Sequence, residues 1–171
     1  VPWLKNSHNL NLSVRSSGTS NAGLFSQLGV GGVVQDLRFE QANITGINMN
    51  SLGTVAGYAN GASISGVMVA NGSVNITSSG SWAGGLVGYT EGGTLRDVWV
   101  SNNPITAISS GAGGVMGRSL MTASNVHNLG SDVRSNGDQV GGLFGQRWNG
   151  YSLSRSDASG NVTGNNAVGG L

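Results

Sequence analysis

Apolar residues in this chain come in short patches separated by small and polar residues, and the patches recur in the same order. After Leu86 come Leu95, Val98 and Val100, then Ile105 and Ile108; after Leu24 come Val34, Leu37 and Phe39, then Ile44 and Ile47. After Val55 the series is Ile64, Val67 and Val69, then Val74 and Ile76. Within the middle patch, Val67-Met68-Val69 and Val98-Trp99-Val100 alternate with a period of two, the mark of a strand with one face buried and one exposed. The β-branched residues that dominate the patches favour strand as well. No window of about 11 residues carries an apolar stripe of helical period, so the pattern predicts little or no helix.

Each series begins at the same punctuation, a small-residue pair followed by an aliphatic residue and usually a further glycine. It stands as Gly23-Leu24-Phe25-Ser26, Thr54-Val55-Ala56-Gly57, Gly85-Leu86-Val87-Gly88, Gly114-Val115-Met116-Gly117, Gly142-Leu143-Phe144-Gly145 and, at the end, Gly170-Leu171. The aliphatic anchors fall at 24, 55, 86, 115, 143 and 171, at intervals of 31, 31, 29, 28 and 28 residues. Self-similarity at such a period marks a solenoid, in which each supersecondary unit is stabilised by stacking on the next. Gly-Gly, Asn-Gly, Ser-Gly and Asn-Asn pairs between the patches supply corners that need a positive φ. Three strands and three corners per period predict an all-β fold, a right-handed parallel β-helix of about five rungs spaced about 4.8 Å apart. The anchor is expected to mark the first strand of each rung.

The later rungs read as weaker. Where other repeats carry Leu37 and Phe39 or Val98 and Val100, the fourth offers Val126 with Asn128 and the fifth Ser156 with Ala158. Looser packing or bulging is expected there. Leu10–Val14 match the late part of a repeat, and Gly170-Leu171 match the start of another. Residues 1–171 are therefore read as one solenoid segment of a longer array, with flanking repeats of the same polypeptide as neighbours.

Composition narrows the function. With 8 Lys+Arg against 7 Asp+Glu the net charge is +1, and the basic residues are scattered from Lys5 to Arg155. Nucleic acid needs a clustered basic face, so none is expected as partner. The absence of Cys excludes disulfides, thiolate metal sites and cysteine nucleophiles. No apolar run approaches the ~20 residues of a membrane span, so no membrane insertion is expected. Val1–Asn6 have neither the basic nor the apolar region of a signal peptide. Abundant Gly, Asn, Ser and Thr with a single Lys suit a bacterial exported or surface protein.

Ala83-Gly84-Gly85-Leu86-Val87-Gly88-Tyr89 with Gly92-Gly93-Thr94-Leu95 resembles the GLUG repeat, and Val140-Gly141-Gly142-Leu143-Phe144-Gly145 is similar. Thr54-Val55-Ala56-Gly57 is the loosest match. The resemblance spans the chain at the level of period. It implies β-solenoid stalks of large bacterial secreted or surface proteins, among them filamentous-haemagglutinin-like adhesins and some immunoglobulin-cleaving peptidases.

Polysaccharide-processing enzymes also use parallel β-helices, so a catalytic role turns on individual residues. Glycoside hydrolysis needs two carboxyls about 5–9.5 Å apart. The acidic residues are Asp36, Glu40, Glu91, Asp97, Asp132, Asp138 and Asp157. Asp36 and Asp97 occupy equivalent places two rungs apart, roughly 9.6 Å at the rung spacing. Asp is an ordinary turn former, so corner roles are favoured for both. His8 and His127 fall in different rungs, and neither a calcium repeat nor a serine elbow nor a phosphate loop is present. No catalytic residue, metal or cofactor is assigned.

Binding has more to work with. If Val67, Val69, Val98 and Val100 point inward, the residues between them stack outside in one column: Arg38, Met68, Trp99, His127 and Asp157. Such a column could stack on a sugar face or a peptide of a host surface. Tyr58 and Tyr89, each directly after its anchor glycine, form a second aromatic pair. Covering glycine-rich backbone, or meeting a neighbouring domain, is the structural role these aromatics would otherwise have. The column is too mixed for the flat Thr ladder of an ice-binding face. The sequons at Asn11, Asn43, Asn71, Asn75 and Asn161 are read as incidental in a chain this rich in Asn, Ser and Thr. The expected function is a non-catalytic structural or adhesive segment. The alternatives are a β-helical polysaccharide enzyme and the accessory repeats of a secreted peptidase.

Overall fold

The computed structural model describes residues 12–18, 20–77, 80–108 and 111–171, preceded by the backbone of two strands, Trp3–Leu4 and Ser7–Leu10. The remainder of Val1–Asn6, the side chain of His8, and Asn11 of the first sequon lie outside the described residues.

The described residues form strands and turns without a helix, and the strands pair in parallel within three sheets. The first sheet has 11 strands and carries the long arm of each turn. Its central members are the 15-residue strands Ala56–Ala70 and Val87–Ser101. The second sheet stacks Ser13–Ser17, Asn43–Ile47, Ser73–Ile76, Ile105–Ala107, Val133–Ser135 and Val162–Thr163. The third stacks Asn21–Ala22, Ser51–Gly53, Trp82–Gly84, Gly111–Gly113, Gln139–Gly141 and Ala167–Gly169. The chain thus runs from third sheet to first to second and repeats. Phe25, Ala56, Val87, Met116 and Phe144 lie in register above one another. This is the β-solenoid that the periodicity predicts.

Stacking equivalent side chains builds the core as columns. In the first sheet Phe39, Val69, Val100, Asn128 and Ala158 lie in line, as do Leu37, Val67, Val98 and Val126. In the second, Ile44, Val74, Ile105 and Val133 do the same, all without exposed surface. The buried residues separate into two clusters. One fills the space behind the first sheet together with the anchors Val55, Leu86, Val115 and Leu143; the other lies between the second and third sheets.

The later rungs taper. Asn128 replaces valine in its column and is buried, donating from Nδ2 to the Gly142 carbonyl at 2.8 Å, and Ala158 follows it. In these rungs the first sheet is divided into Met116–Ser119 and Thr122–Leu129, then into Phe144–Arg147, Leu153–Ser154 and Asp157–Ala158, as it also is at Phe25–Leu28 and Val33–Glu40.

One expectation is corrected. The anchor pairs do not form the first strand: Gly85-Leu86 and its equivalents are the bend between the third and first sheets, and the strand before them was unforeseen. Ile47 and Ile108 do not face the core; they are 46% and 40% exposed, because their neighbours Gly46 and Ala107 take the inward places.

The bend explains the glycines of the motif. Where Gly113 turns into Gly114-Val115-Met116, a Cβ on Gly113 would stand 1.9 Å from the Met116 carbonyl oxygen. On the other arm, a Cβ on Gly88 would stand 2.4 Å from the Leu52 amide nitrogen. The two arms lie backbone against backbone, with no room for a side chain between them.

The other corners use left-handed backbone. Asp36, Gly66, Asp97, Asn125 and Arg155 have φ of 55°, 63°, 53°, 56° and 49°. Gln41, Asn71, Asn102 and Gly130 form a second such ladder at 60°, 56°, 47° and 71°. Asn tolerates this region because its side chain bonds locally. Here those bonds run between rungs, Asn71 Nδ2 donating to Glu40 at 2.6 Å and Asn102 Nδ2 to Asn71 at 3.4 Å.

Candidate functional site

The acute bend creates a groove on the outside of the solenoid. Its first wall is the outward column of the third sheet, in which Asn21, Ser51, Trp82 and Gly111 are in register. Its second wall is the outward column at the start of the first sheet, where Gln27, Tyr58, Tyr89, Arg118 and Gln146 are in register. Gln27, Tyr58 and Tyr89 face Asn21, Ser51 and Trp82, with Asn50 and Ser81 at the rim, around a cavity of about 410 Å³. That volume lies in the range of small-ligand sites.

The walls are held in place by their own contacts. Trp82 has room because its neighbours in the column are small: a Cβ on Gly111 would meet the indole Cζ3 at 2.1 Å. Ser51, although outward, is only 2% exposed and donates to Asn21 Oδ1 at 2.7 Å. The Tyr58 and Tyr89 rings lie 5.4 Å apart, tilted by 43°. Both phenols donate to the Glu91 carboxylate, Tyr58 at 2.6 Å and Tyr89 at 2.5 Å. Above them the Arg118 guanidinium sits 5.0 Å from the Tyr89 ring, 5.0 Å from that of Trp148 and 5.7 Å from that of Trp82. Cation–π attraction of this kind contributes about 0.5–2 kcal/mol per contact.

The shared proton donors set the electrostatics. Hydrogen bonds from Tyr58 and then Tyr89 hold the Glu91 carboxyl below its ordinary value. The same bond, with burial, pushes the Tyr58 phenol up to about 12, and burial followed by the Glu91 bond raises Tyr89. The carboxylate's contribution is present above its ordinary 4.5 and is lost as pH falls below that value. The Tyr58 contribution is present below the ordinary 10 and is lost as pH rises through about 12. Glu91 is therefore ionised and Tyr58 protonated across the neutral range. In Glu91→Ala, the tyrosinate absorbance titration should show the Tyr58 midpoint falling from about 12 toward 10. An unchanged titration would remove Glu91 from this role.

The predicted outer column is in register: Arg38, Met68, Trp99, His127 and Asp157 follow one another on the first sheet. Trp99 and His127 stack at 5.7 Å with 17° between their planes. His127 Nδ1 is bonded to the Asp157 carboxylate, and its Nε2 meets Asn125 Oδ1 at 2.9 Å. Arg38 turns to Glu40 at 3.3 Å. Tyr58 and Tyr89 do not join this column; Tyr89 and Trp99 lie near opposite ends of the strand Val87–Ser101. The chain thus presents two outward surfaces.

Gln27, Asn21, Asn50, Ser51, Ser81, Trp82, Glu91 and Arg118 went unrecognised as site residues in the sequence. For Trp82 a signal was present, since it stands three residues before the Gly85 of its anchor in a chain with 4 Trp.

Asp36 and Asp97 hold corner positions that Gly66 and Asn125 occupy in neighbouring rungs. The Asp97 carboxylate accepts from Asn125 Nδ2 at 2.6 Å, and Asp36 Oδ1 lies over Gly66, 2.6 Å from where a Cβ would be. Among the described residues no three His, Cys, Asp or Glu side chains converge as a metal site would require. No family model, curated protein or solved structure matches the chain.

Proposed function

We propose that this chain is a non-catalytic β-solenoid segment of a large bacterial secreted or cell-surface protein, similar to GLUG-repeat stalks, that displays its outward side chains for attachment. The observation that supports this reading is the contrast between the columns. Inward positions repeat apolar residues rung after rung, whereas outward ones change from Arg38 to Met68 to Trp99 to His127 in strict register. A rigid ladder that holds non-repeating side chains in fixed order suits recognition, since little ordering entropy remains to be lost on binding.

The enzyme alternative is disfavoured because its best carboxylate pair consists of corner residues in a ladder that tolerates glycine. The peptidase-accessory alternative differs only in flanking sequence.

The test is attachment of the immobilised chain to cultured epithelial cells and to mucin-coated surfaces. Saturable attachment, weakened at least fivefold by Trp99→Ala or by a groove substitution, is the expected result. Attachment to neither surface, or turnover of an acidic polysaccharide that Asp97→Asn abolishes, would overturn the proposal.

A further inference from the structure

Resting on that reading, we infer that the groove between Trp82 and the Tyr58–Tyr89 pair binds a neutral oligosaccharide lying along the solenoid. Its lining is the first reason. Three aromatic rings stand among the amides of Asn21, Gln27 and Asn50 and the hydroxyl of Ser81, with Ser51 turned to Asn21 and no charged side chain among them. Rings offer flat apolar faces to the C–H face of a pyranose, and amides and hydroxyls match its vicinal hydroxyls as both donors and acceptors. The Glu91 carboxylate close by is occupied by both tyrosine hydroxyls, and the Arg118 guanidinium lies against three rings. An anionic sugar would find no cation among the lining residues, the Arg118 guanidinium standing beyond them at the end of the run.

The shape excludes other occupants. A peptide adding to a sheet needs an unpaired strand edge, and along Ser51, Trp82, Tyr58 and Tyr89 both walls are strand faces whose backbones are paired to the rungs on either side. A fatty or otherwise apolar ligand would bury the Gln27 and Ser81 side chains without partners, at a cost of about 1–3 kcal/mol each. The direction is set by the stacking. Each rung adds one residue to each wall about every 4.8 Å, so a polymer of hexose units along the rod meets Asn21 with Gln27, Ser51 with Tyr58, then Trp82 with Tyr89. The run ends at Gly111 and Arg118, where the Trp82 indole covers the glycine and the guanidinium fills the space between rings.

Calorimetric titration with cellohexaose, maltoheptaose and chitohexaose, against oligogalacturonate as the acidic comparator, tests the inference. At least one neutral oligomer should bind, and oligogalacturonate at least tenfold more weakly. Trp82→Ala should weaken the neutral ligand tenfold or more, whereas Trp99→Ala should leave it within twofold. Because Trp82→Ala can disturb the fold, Gln27→Ala serves as the second variant with an expected loss of threefold or more. The Trp82 indole N–H resonance, assigned with Trp82→Phe, should shift on addition of ligand. Absence of binding by all three neutral oligomers, equal binding of oligogalacturonate, or loss through Trp99→Ala with Trp82→Ala and Gln27→Ala unchanged would overturn it. The last of these, with cell attachment intact, would leave the proposed attachment role standing and remove only the groove.

Discussion

Replacing Gly113 with alanine is expected to lower the unfolding free energy by about 3 kcal/mol or more, the upper range for overpacking a tight interior. The added Cβ would lie 1.9 Å from the Met116 carbonyl oxygen, 2.6 Å from the Gly145 nitrogen and 2.8 Å from the Leu143 carbonyl oxygen. All three are backbone atoms, so relief requires the two arms of the bend to separate. Separation strains the Leu86-to-Val115 and Val115-to-Leu143 backbone hydrogen bonds, at 2.8 and 2.9 Å, which tie this bend to the rungs beside it. The control is Gly29→Ala, where nothing lies within 4 Å of the new Cβ. There the stability should stay unchanged or rise by up to about 1 kcal/mol through the stiffer unfolded chain. Urea denaturation followed by circular dichroism reads both. Equal midpoints for the two variants would mean that the glycines of the motif serve something other than the bend.

That bend separates what the sequence reveals from what it conceals. The middle patches were legible because Leu37 and Phe39, Val67 and Val69, and Val98 and Val100 alternate with polar neighbours over several residues. A half-buried strand imposes that pattern whatever surrounds it. The third sheet was not legible: Ser51-Leu52-Gly53 and Trp82-Ala83-Gly84 are only three residues long and mix small side chains, with no period to detect. The outward placing of Ile47 and Ile108 was not legible either, because apolar character alone does not say which side of a short strand faces in.

The outer column could be read because it lies within one sheet, where the repeat length alone gives the register. The groove could not, because its walls come from two sheets. Tyr58 and Tyr89 were visible as a pair, but the residues opposite them become neighbours only once Gly53, Gly57, Gly84 and Gly88 allow the arms to close. The glycines that look like spacing are what brings Trp82 to the tyrosines.

The second large effect is expected at Leu95. Leu95 is fully buried in the column Val34, Ile64, Leu95, Ala123 and Leu153, and Leu95→Ala should cost about 2–5 kcal/mol. The site cannot easily collapse around the loss, because its neighbour on one side is already alanine and the strand carrying it is paired along its length to Ala56–Ala70 and along its later half to Thr122–Leu129. Leu153→Ala removes the same atoms from the same column, but Leu153 is only half-buried on a two-residue strand, so about 1 kcal/mol is expected. In a solenoid each rung is stabilised by its neighbours, so a defect at Leu95 weakens coupling in both directions while one at Leu153 affects only the tapered end. Amide hydrogen exchange separates the two cases. Leu95→Ala should lower protection across both Ala56–Ala70 and Thr122–Leu129, whereas Leu153→Ala should leave Ala56–Ala70 unchanged. Equal and purely local losses in the two variants would show that the rungs are stabilised one by one, and the tapering of the core toward Ala158 would then have no bearing on the central rungs that carry Trp82, Tyr89 and Trp99.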